Sequence, residues 1–284
     1  MAFSAPYLEV LLAVQHDHLV PLRSVVPLAD GREALVFDLV RGAQLAGMVR
    51  SRGHLRPGEV VTVLTPVCEA VAHLHAAGGL HADISPSNIT VTPDGRPVLL
   101  DLGAARVAGR EAGAVHGTPG FVAPEVRLGS EPDEAADVFA LGAVAWFCLT
   151  GNGAPDTMIR LDHETVVSHV GAALADVVAA AIDPEPGLRP GAAELARLFE
   201  IDLCGEECQR LEGFVSLARE RGSGHRCGGD RLAQVLPRRG GKRPTRGSTR
   251  SIRCAAAGLA KLSAVAASSA PANMRLVIIA NTPP

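Results

Sequence analysis

The segment DEAADVFALGAVAWFCLTG, residues 133–151, places the strongest constraint on the fold of this chain. Between Val138 and Thr150 it contains no charged residue. A helix on the surface of a globular protein keeps a polar face toward water, and this segment has none beyond its first turn. The sequence therefore predicts a buried helix here, within a domain large enough to enclose it.

The chain has 284 residues, of which 47% are hydrophobic. This length and composition allow one domain with a sizeable core, or two small lobes, followed by a tail. Charge is distributed unevenly along the chain. Residues 1–220 hold fifteen basic and twenty-nine acidic residues, whereas residues 221–284 hold twelve basic residues and one acidic residue. We expect a solvated basic tail, with contact to acidic surfaces as the alternative, and no specific nucleic-acid partner.

Local patterns predict a mixture of strands and helices. The β-rich runs 19–28 and 33–40 are separated by turn-forming residues, which predicts a hairpin. Residues 89–102 predict two more short strands around a Pro-Asp-Gly turn. Pro66 lies inside a predicted helix, and we expect it to kink or shorten that helix. The predicted helices besides 133–151 are 7–15, 43–53, 57–79, 173–182 and 192–201.

The N-terminus and the cysteines bear on location. The first residues, MAFSAPYLEV, lack the basic region and apolar run of a secretion signal, so we expect a cytoplasmic protein with reduced cysteines. Cys204 and Cys208, with His225 and Cys227 downstream, leave a zinc site as a weak alternative, because their spacing matches no established pattern. The charge-free run 262–274 has thirteen residues. A membrane helix needs about 20, so we predict no transmembrane span.

The loop GLHADISPSNITV, residues 79–91, places His81, Asp83 and Asn88 close together in sequence. The strand pair predicted after it would carry Asn88 and Asp101 to the same place. Carboxylate and amide oxygens are the ligands that Mg²⁺ prefers, and a carboxylate can also act as a base. Taken one piece at a time, a polar turn and a hairpin end remain the alternative interpretation.

Six motifs occur in one order along the chain. They are HAD at 81–83, Asn88, DLG at 101–103, GTPGFVAPE at 117–125, DVFALG at 137–142, and Arg189 before Pro190. Together they resemble the C-terminal lobe of a eukaryotic-type serine/threonine protein kinase, over residues 7–202. The resemblance implies an α+β, protein-kinase-like fold with a mainly helical C-terminal lobe and a partial N-lobe sheet. It divides the chain into a partial N-lobe (1–40), a C-lobe (41–203) and a basic, Gly/Arg/Ala-rich, largely disordered tail (204–284).

The resemblance also implies roles for individual residues. Asp83 would orient the acceptor hydroxyl, while Asn88 and Asp101 would hold the Mg²⁺ that accompanies ATP. Gly117 and Thr118 belong to the segment that, in the family, cradles the acceptor residue of a protein substrate. Four residues are implied to support the site without reacting, and His81 is one of them. Asp137 would hold the backbone of the HAD loop. Glu125 and Arg189 would pair with each other.

Two departures from the family pattern concern regulation and packing. Ala82 stands where the family has an Arg that binds a phosphate on the activation segment. Residues 104–116 contain no Ser, Thr or Tyr, so the receptor and its phosphorylation site are absent together. We therefore expect no switching by phosphorylation there. The DLG motif in place of DFG is a mild apolar exchange.

Two further departures concern ATP. Ser85 stands where the family carries a Lys that neutralises the transferring phosphate. The family's Gly-rich loop and the strand Lys that holds the phosphates have no counterpart here, since no Lys precedes Lys242. In the family, that Lys pairs with a Glu of a helix. Glu9 is the acidic residue nearest to the corresponding position here, and it is out of register. We expect this chain alone to bind ATP weakly and to transfer phosphate slowly.

Three functional hypotheses follow from these residues. The first is a serine/threonine protein kinase with an altered loop, whose sequence here would be incomplete at the N-terminus. The second is a pseudokinase that serves as a docking surface for a protein partner. The third is a small-molecule phosphotransferase of the aminoglycoside-kinase type, which shares the His-x-Asp loop. GTPGFVAPE, Asp137 and Arg189 argue against the third, because that group lacks the peptide-cradling segment.

Overall fold

The computed structural model describes residues 10–27, 33–102, 106–107, 117–155, 158–201 and 277–280. Within these ranges, helices and short antiparallel sheets form an α+β fold. Some sequence-based expectations fall outside the described residues: the start of the helix 7–15, most of the segment 104–116, and the zinc alternative at Cys204, Cys208, His225 and Cys227.

The first sheet is built on the predicted hairpin. β1 (Leu22–Pro27) pairs antiparallel with β2 (Glu33–Phe37), and α1, helical at residues 10–13, precedes them. The hairpin prediction is confirmed. Three of its side chains belong to the hydrophobic core and so attach the sheet to the rest of the fold: Leu22, Leu35 and Phe37.

A strand from far along the sequence extends this sheet. β8 (Val277–Ala280) pairs antiparallel with β2, which gives the strand order β1-β2-β8. The sequence analysis does not predict this strand, because the composition of residues 204–284 as a whole indicates disorder. Pairing between distant segments depends on register and on an available partner edge, and neither is visible in local composition.

The second sheet holds the loop that carries Asp83. Its strands are β3 (Ala43–Gln44), β5 (Ile89–Val91) and β6 (Pro97–Leu99), in the order β3-β5-β6, and the β5–β6 pair confirms the strands predicted around the Pro-Asp-Gly turn. Just before the loop, β4 (Gly79–Leu80) pairs with β7 (Arg106–Val107). The chain is therefore in strand conformation immediately on each side of the loop.

Two helices pack behind this sheet. α2 (Leu45–Arg52) lies within the predicted range 43–53, and α3 runs from Pro57 to Ala76. Pro66 lies inside α3, and the helix continues past it to Ala76. Of the two expected effects, a kink or a shortened helix, shortening at Pro66 does not occur. A proline removes one helical hydrogen bond, but most of the side chains of α3 are buried against its neighbours, and tertiary packing overrides that local cost.

The apolar segment forms α5 (Glu134–Thr150), as predicted. Asp133 caps its start by accepting a hydrogen bond from the backbone of Ala136, and Gly151 ends it with φ of 74°, a left-handed conformation that favours glycine. Thirteen of its residues are buried, Trp146 among them, so the prediction of a buried helix is confirmed. Its packing neighbours include α3, α6, α7 and α8.

The remaining helices complete the core around α5. They are α4 (Pro124–Arg127), α6 (His163–Val170), α7 (Ala175–Ala181) and α8 (Ala192–Ile201), with short 3₁₀ turns at Ala172–Leu174 and Pro186–Leu188. The helix expected at 173–182 is thus divided between a 3₁₀ turn and α7. Among the described residues, no single helix is long and apolar enough to span a membrane; only the bent pair formed by His163–Val170 and Ala172–Ala181 has the required length and composition when its members are combined.

Gly142 lies where α5 closely approaches α7. A Cβ atom at Gly142 would lie 2.6 Å from Cβ of Ala181 and 2.8 Å from Cγ2 of Ile182. We expect Gly142→Ala to lower the free energy of unfolding by about 1–3 kcal/mol through overpacking. Gly47→Ala in α2 is the matched control, because nothing lies within 4 Å of its Cβ position. That control should raise the free energy of unfolding by up to about 1 kcal/mol. Chemical denaturation measures both, and equal effects would contradict the close approach.

Candidate active site

The carboxylate of Asp137 holds the backbone from which the candidate site is built. Asp137 lies in the first turn of α5 and is 2% exposed. Its Oδ2 accepts hydrogen bonds from the backbone N–H of His81 at 2.8 Å and from Nε2 of His75 at 2.9 Å. Its Oδ1 accepts from the backbone N–H of Ala82 at 2.8 Å. The buried charge is thus satisfied by three donors, two of which belong to the HAD loop.

The pKa of Asp137 reflects two opposed influences. Burial by itself raises the pKa of this carboxyl, because it penalises the charged form. The hydrogen bond from His75, together with the backbone N–H of His81, outweighs burial and holds the pKa of Asp137 below its ordinary value. Asp137 is therefore ionised at neutral pH.

His81 connects the loop to the strand end that precedes Asp101. Its side chain is fully buried. Nδ1 accepts a hydrogen bond from the backbone N–H of Asp83 at 3.3 Å, which leaves Nε2 to carry the proton and donate to the carbonyl oxygen of Leu100 at 2.9 Å. The ring therefore links the two segments that carry the candidate carboxylates.

Asp83 is held through both carboxylate oxygens. Its Oδ1 accepts from the backbone N–H and from Oγ1 of Thr118, each at 2.8 Å. Its Oδ2 accepts from Nδ2 of Asn88 at 3.1 Å. The structure therefore brings Asp83, Asn88 and Thr118 together, and the orientation of the Asp83 carboxylate is fixed by groups on both sides of it.

Asn88 and Asp101 are brought together by the backbone of the second sheet. The N–H of Leu100 donates to the carbonyl oxygen of Asn88 at 2.7 Å, so Asp101 follows directly after a residue bonded to Asn88. Because Nδ2 of Asn88 also donates to the carbonyl oxygen of Asp83 at 2.8 Å, its amide nitrogen faces Asp83 and its Oδ1 is the atom left for a cation. One amide oxygen and one carboxylate form a donor set that fits Mg²⁺.

Two residues of this region adopt left-handed backbone conformations that are unusual outside glycine. Ala82 and Asp101 each have φ of 61°. For a residue with a Cβ atom, this conformation costs roughly 1–2 kcal/mol. The surrounding hydrogen bonds, among them the Ala82 N–H on Asp137, hold the conformation at Ala82. Strained backbone of this kind concentrates at functional sites.

Ser85 occupies the next position of interest in the loop. It is fully buried, and among the described residues its Oγ has no hydrogen-bond partner. An unsatisfied buried hydroxyl costs free energy, whereas a cationic side chain in the same place would carry charge toward a phosphate. The side chain of Ser85 therefore adds neither a positive charge nor a hydrogen bond to the site.

A pocket lies against Asp83 on the side of Thr118. Its lining includes Asp83, Gly117, Thr118, Phe121 and Pro132. A Cβ atom at Gly117 would lie 2.7 Å from Cγ2 of Val122, so glycine allows the segment 117–122 to turn closely back on itself. The structure thus places both residues of the predicted substrate segment beside Asp83, in the lining of the same pocket.

Glu125 and Arg189 form an ion pair away from this pocket. Nη1 and Nη2 of Arg189 donate to the two carboxylate oxygens of Glu125 at 2.7 and 2.8 Å. The Arg189 side chain is fully buried, and its Nε also donates to the carbonyl oxygen of Asp183 at 2.7 Å. This bidentate pair fixes the segment after Thr118 to the loop before α8.

Sequence reasoning missed two buried polar groups. His75 was assigned no role by pattern, although it is a direct partner of Asp137; only its position at the end of α3, shortly before the HAD motif, hints at this. Glu59 is 1% exposed and accepts hydrogen bonds from the side chains of Arg52 and Arg56. The spacing from Arg56 to Glu59, three residues at a helix start, was the available signal.

Other chemically active groups of the described chain do not join the site. Cys68 and Cys148 are buried and free, and burial raises the pKa of both thiols, so they stay neutral. Among the described residues, no group of three or more His, Cys, Asp or Glu side chains converges on a position where it could hold a metal. A cation at Asn88 and Asp101 would therefore need further ligands from water or phosphate.

Comparison with known proteins agrees with this geometry. The profile of the protein kinase domain matches residues 7–195. Serine/threonine-protein kinase PknK of Mycobacterium tuberculosis is 37% identical over 142 residues, which cover 49% of this chain and 13% of that protein. PkaB of Streptomyces coelicolor is 35% identical over 213 residues, which cover 67% and 51%, and PknE of Mycobacterium tuberculosis is 34% identical over 143 residues, which cover 49% and 25%.

The chain belongs to the protein kinase domain family. Its α+β architecture is protein-kinase-like, and its similar relatives are serine/threonine-protein kinases. The family generally uses ATP and Mg²⁺ and acts on proteins. The chain spans about half the length of PkaB and smaller shares of PknK and PknE.

Asp137→Asn tests the buried carboxylate. The substitution keeps the size but removes the charge that three donors require, so we expect the free energy of unfolding to fall by about 3 kcal/mol at neutral pH. Asp133→Asn is the matched control on the same helix, because Asn caps a helix about as well as Asp. That control should change the free energy of unfolding by less than about 0.5 kcal/mol, as measured by urea denaturation.

The same variant has a defined pH dependence. The pKa of Asp137 is lower in the folded chain, so the unfolded state binds more protons at acidic pH. The stabilisation is present above the ordinary aspartate pKa of about 3.9 and is lost as pH falls through the lower folded value. The difference in unfolding free energy between wild type and Asp137→Asn should therefore shrink below about pH 4. A difference that stays constant there would contradict an ionised Asp137.

Proposed function

We propose that this chain binds Mg–ATP and transfers its γ-phosphate to a Ser or Thr hydroxyl of a protein substrate. The observation that carries the proposal is that both carboxylate oxygens of Asp83 accept hydrogen bonds, Oδ1 from Thr118 and Oδ2 from Asn88. A carboxylate held in this way beside an open pocket is positioned to accept the hydrogen bond of an incoming hydroxyl. Membership of the protein kinase family supports the same reaction.

Each residue of the site has a distinct part in this proposal. Asp83 orients the acceptor hydroxyl and receives its proton as the oxygen attacks phosphorus. Thr118 and Gly117 form the wall against which the acceptor residue rests. Oδ1 of Asn88 and the carboxylate of Asp101 bind Mg²⁺, which when bound supplies positive charge to the phosphate oxygens. His81 and Asp137 hold the loop in place and do not react.

We propose that the 284-residue chain performs this reaction slowly. Its sequence has no Lys before Lys242 and no Gly-rich loop in the position that the family uses over ATP. Ser85 adds no positive charge near Asp83. A phosphate group would therefore lack the stabilisation that these Lys residues supply in the family, and electrostatic stabilisation of this kind is commonly the largest contribution to catalysis.

A second function is favoured by the same missing charges. A pseudokinase would use the folded lobe as a docking surface for a protein partner, and it would need neither a Lys near ATP nor a cation at position 85. The two functions differ in whether Asp83 matters for any measured activity. The basic segment after residue 220 would in either case be available for acidic surfaces.

Asp83→Asn discriminates between the two functions. We expect the wild-type chain to transfer labelled phosphate from Mg–ATP to a Ser/Thr-containing protein, slowly, and the variant to lose about 10²–10⁴-fold of that rate. Asp94→Asn is the matched control, because Asp94 is exposed in the turn between β5 and β6, and it should leave the rate unchanged. A wild-type rate no higher than that of Asp83→Asn would reject the kinase proposal and favour the docking function.

Nucleotide affinity provides an independent measurement. We expect titration calorimetry of the chain with Mg–ATP to show weaker than micromolar affinity, because the sequence has no Lys before Lys242 in the position that the family uses to hold the phosphates. Mg²⁺ should strengthen the binding, and Asp101→Asn should remove that effect of Mg²⁺. Micromolar affinity would contradict the proposed impairment while leaving the kinase reaction itself in place.

A further inference from the structure

The imidazole ring of His16 has two other histidine rings as close neighbours. His16 and His18 lie in the segment between α1 and β1, and His73 lies in the last turn of α3. The ring centroid of His16 is 5.7 Å from that of His18 and 5.6 Å from that of His73. His16 and His18 are half-buried, whereas His73 is exposed. The half-buried ring of His16 is therefore placed beside two groups that can each take up a proton.

The segment 16–20, which leads into β1, is bonded to the second sheet. The backbone N–H of Leu99 in β6 donates to the carbonyl oxygen of His18 at 2.8 Å, and the N–H of Val20 donates to the carbonyl oxygen of Leu99 at 2.9 Å. These bonds belong to a parallel bridge between the segment and β6. Since β6 ends at Leu99, two residues before Asp101, the segment holds the strand that leads to the candidate cation ligand.

The hydrogen bonds of the two half-buried rings have different proton requirements. The backbone N–H of His18 donates to Nδ1 of His16 at 3.3 Å, and a ring nitrogen accepts only when it carries no proton. His16 is therefore neutral in this arrangement. Nδ1 of His18 donates to the carbonyl oxygen of Pro97 at 2.7 Å, a bond that the neutral and the charged ring can both make. Of these two rings, His16 is the one that loses a hydrogen bond when it takes up a proton.

The groups that face His16 also disfavour its charged form. Burial lowers the pKa of His16 most, and the two neighbouring histidine rings lower it further, because like charges repel. Glu69 on α3 and Asp17 in the segment itself act in the opposite direction, but both are exposed to solvent, and the pKa stays below its ordinary value. The turn between β5 and β6 adds the positive charge of Arg96, whose Nη1 donates to the carbonyl oxygen of Asp17.

We propose that His16 makes the attachment of the segment 16–20 to β6 sensitive to pH, and that protonation of His16 releases the segment. A charged His16 presents an N–H to the backbone N–H of His18, whereas in an opened segment the same ring faces water. Because the pKa of His16 is lower in the attached segment than in the opened one, the opened segment binds more protons. The attachment is at full strength above the ordinary histidine pKa of about 6.5, and it weakens as pH falls from there through the lower value.

Hydrogen exchange of two adjacent amides in the full chain tests the proposal. The N–H of Leu99 is bonded to the segment 16–20, whereas the N–H of Leu100 is bonded to the carbonyl oxygen of Asn88 and is the internal reference. Both are measured at about pH 7.5 and about pH 5.5, on either side of the ordinary histidine pKa, and corrected for intrinsic exchange rates. We expect the lower pH to increase the opening of the Leu99 amide about threefold or more relative to that of Leu100. An equal effect of pH on the two amides would overturn the proposal.

His16→Asn separates the proton from the hydrogen bond. The amide oxygen of Asn can accept the N–H of His18 but does not titrate, so the effect of pH at Leu99 should disappear. His54→Asn is the matched control and should keep the effect, because His54 is exposed and lies before α3, at the opposite end of that helix from His73.

His73→Asn provides a second measurement. It removes one like charge at an exposed position, so the pKa of His16, followed through its imidazole NMR signals, should rise. A pH effect at Leu99 that survives in His16→Asn contradicts the proposal, and so does an unchanged pKa of His16 in His73→Asn. If His16→Asn fails to fold, the comparison of Leu99 with Leu100 in the wild-type chain and the His73→Asn titration still decide.

Discussion

The candidate site depends on one buried interaction, in which the carboxylate of Asp137 accepts hydrogen bonds from two adjacent backbone N–H groups. A carboxylate in an apolar interior is stable only when its oxygens are satisfied, and here His75 supplies the third donor. The helix that carries Asp137 is held by apolar contacts on all sides. The HAD backbone is thereby anchored to a buried helix of the core.

Hydrogen bonds extend from the HAD backbone to the other residues of the candidate site. His81, placed by its backbone N–H, uses its ring to bind the carbonyl of Leu100 and so sets the strand end before Asp101. Asp83, two residues later, is oriented by Thr118 and Asn88. Every one of these links is made within the folded chain, so the ordering cost of the site is met when the protein folds and not when a ligand binds.

Sequence predicted those parts of the structure that local pattern or motif order determines. The uncharged run 138–150 predicted a buried helix, and the residues on either side of a Pro-Asp-Gly turn predicted a strand pair. The order of motifs proposed Asp83, Asn88 and Asp101 as neighbours, which spacing alone could not do. Sequence left open whether α3 continues through Pro66 and did not predict that β8 pairs with β2, because both outcomes depend on contacts between segments distant along the chain.

The departures at Ala82 and Ser85 change charge without changing geometry. Ala82 meets its structural requirement through its backbone, which donates to Asp137 and adopts a left-handed conformation. Ser85 is buried within the loop and leaves Asp83 with its partners. Under the proposed function, a site that keeps its carboxylate and amide oxygens but has Ser85 in place of a cationic side chain would present a more negative potential to an incoming phosphate. The cost that we propose for Ser85 is therefore electrostatic, and it would fall on nucleotide binding more than on the placement of the acceptor hydroxyl.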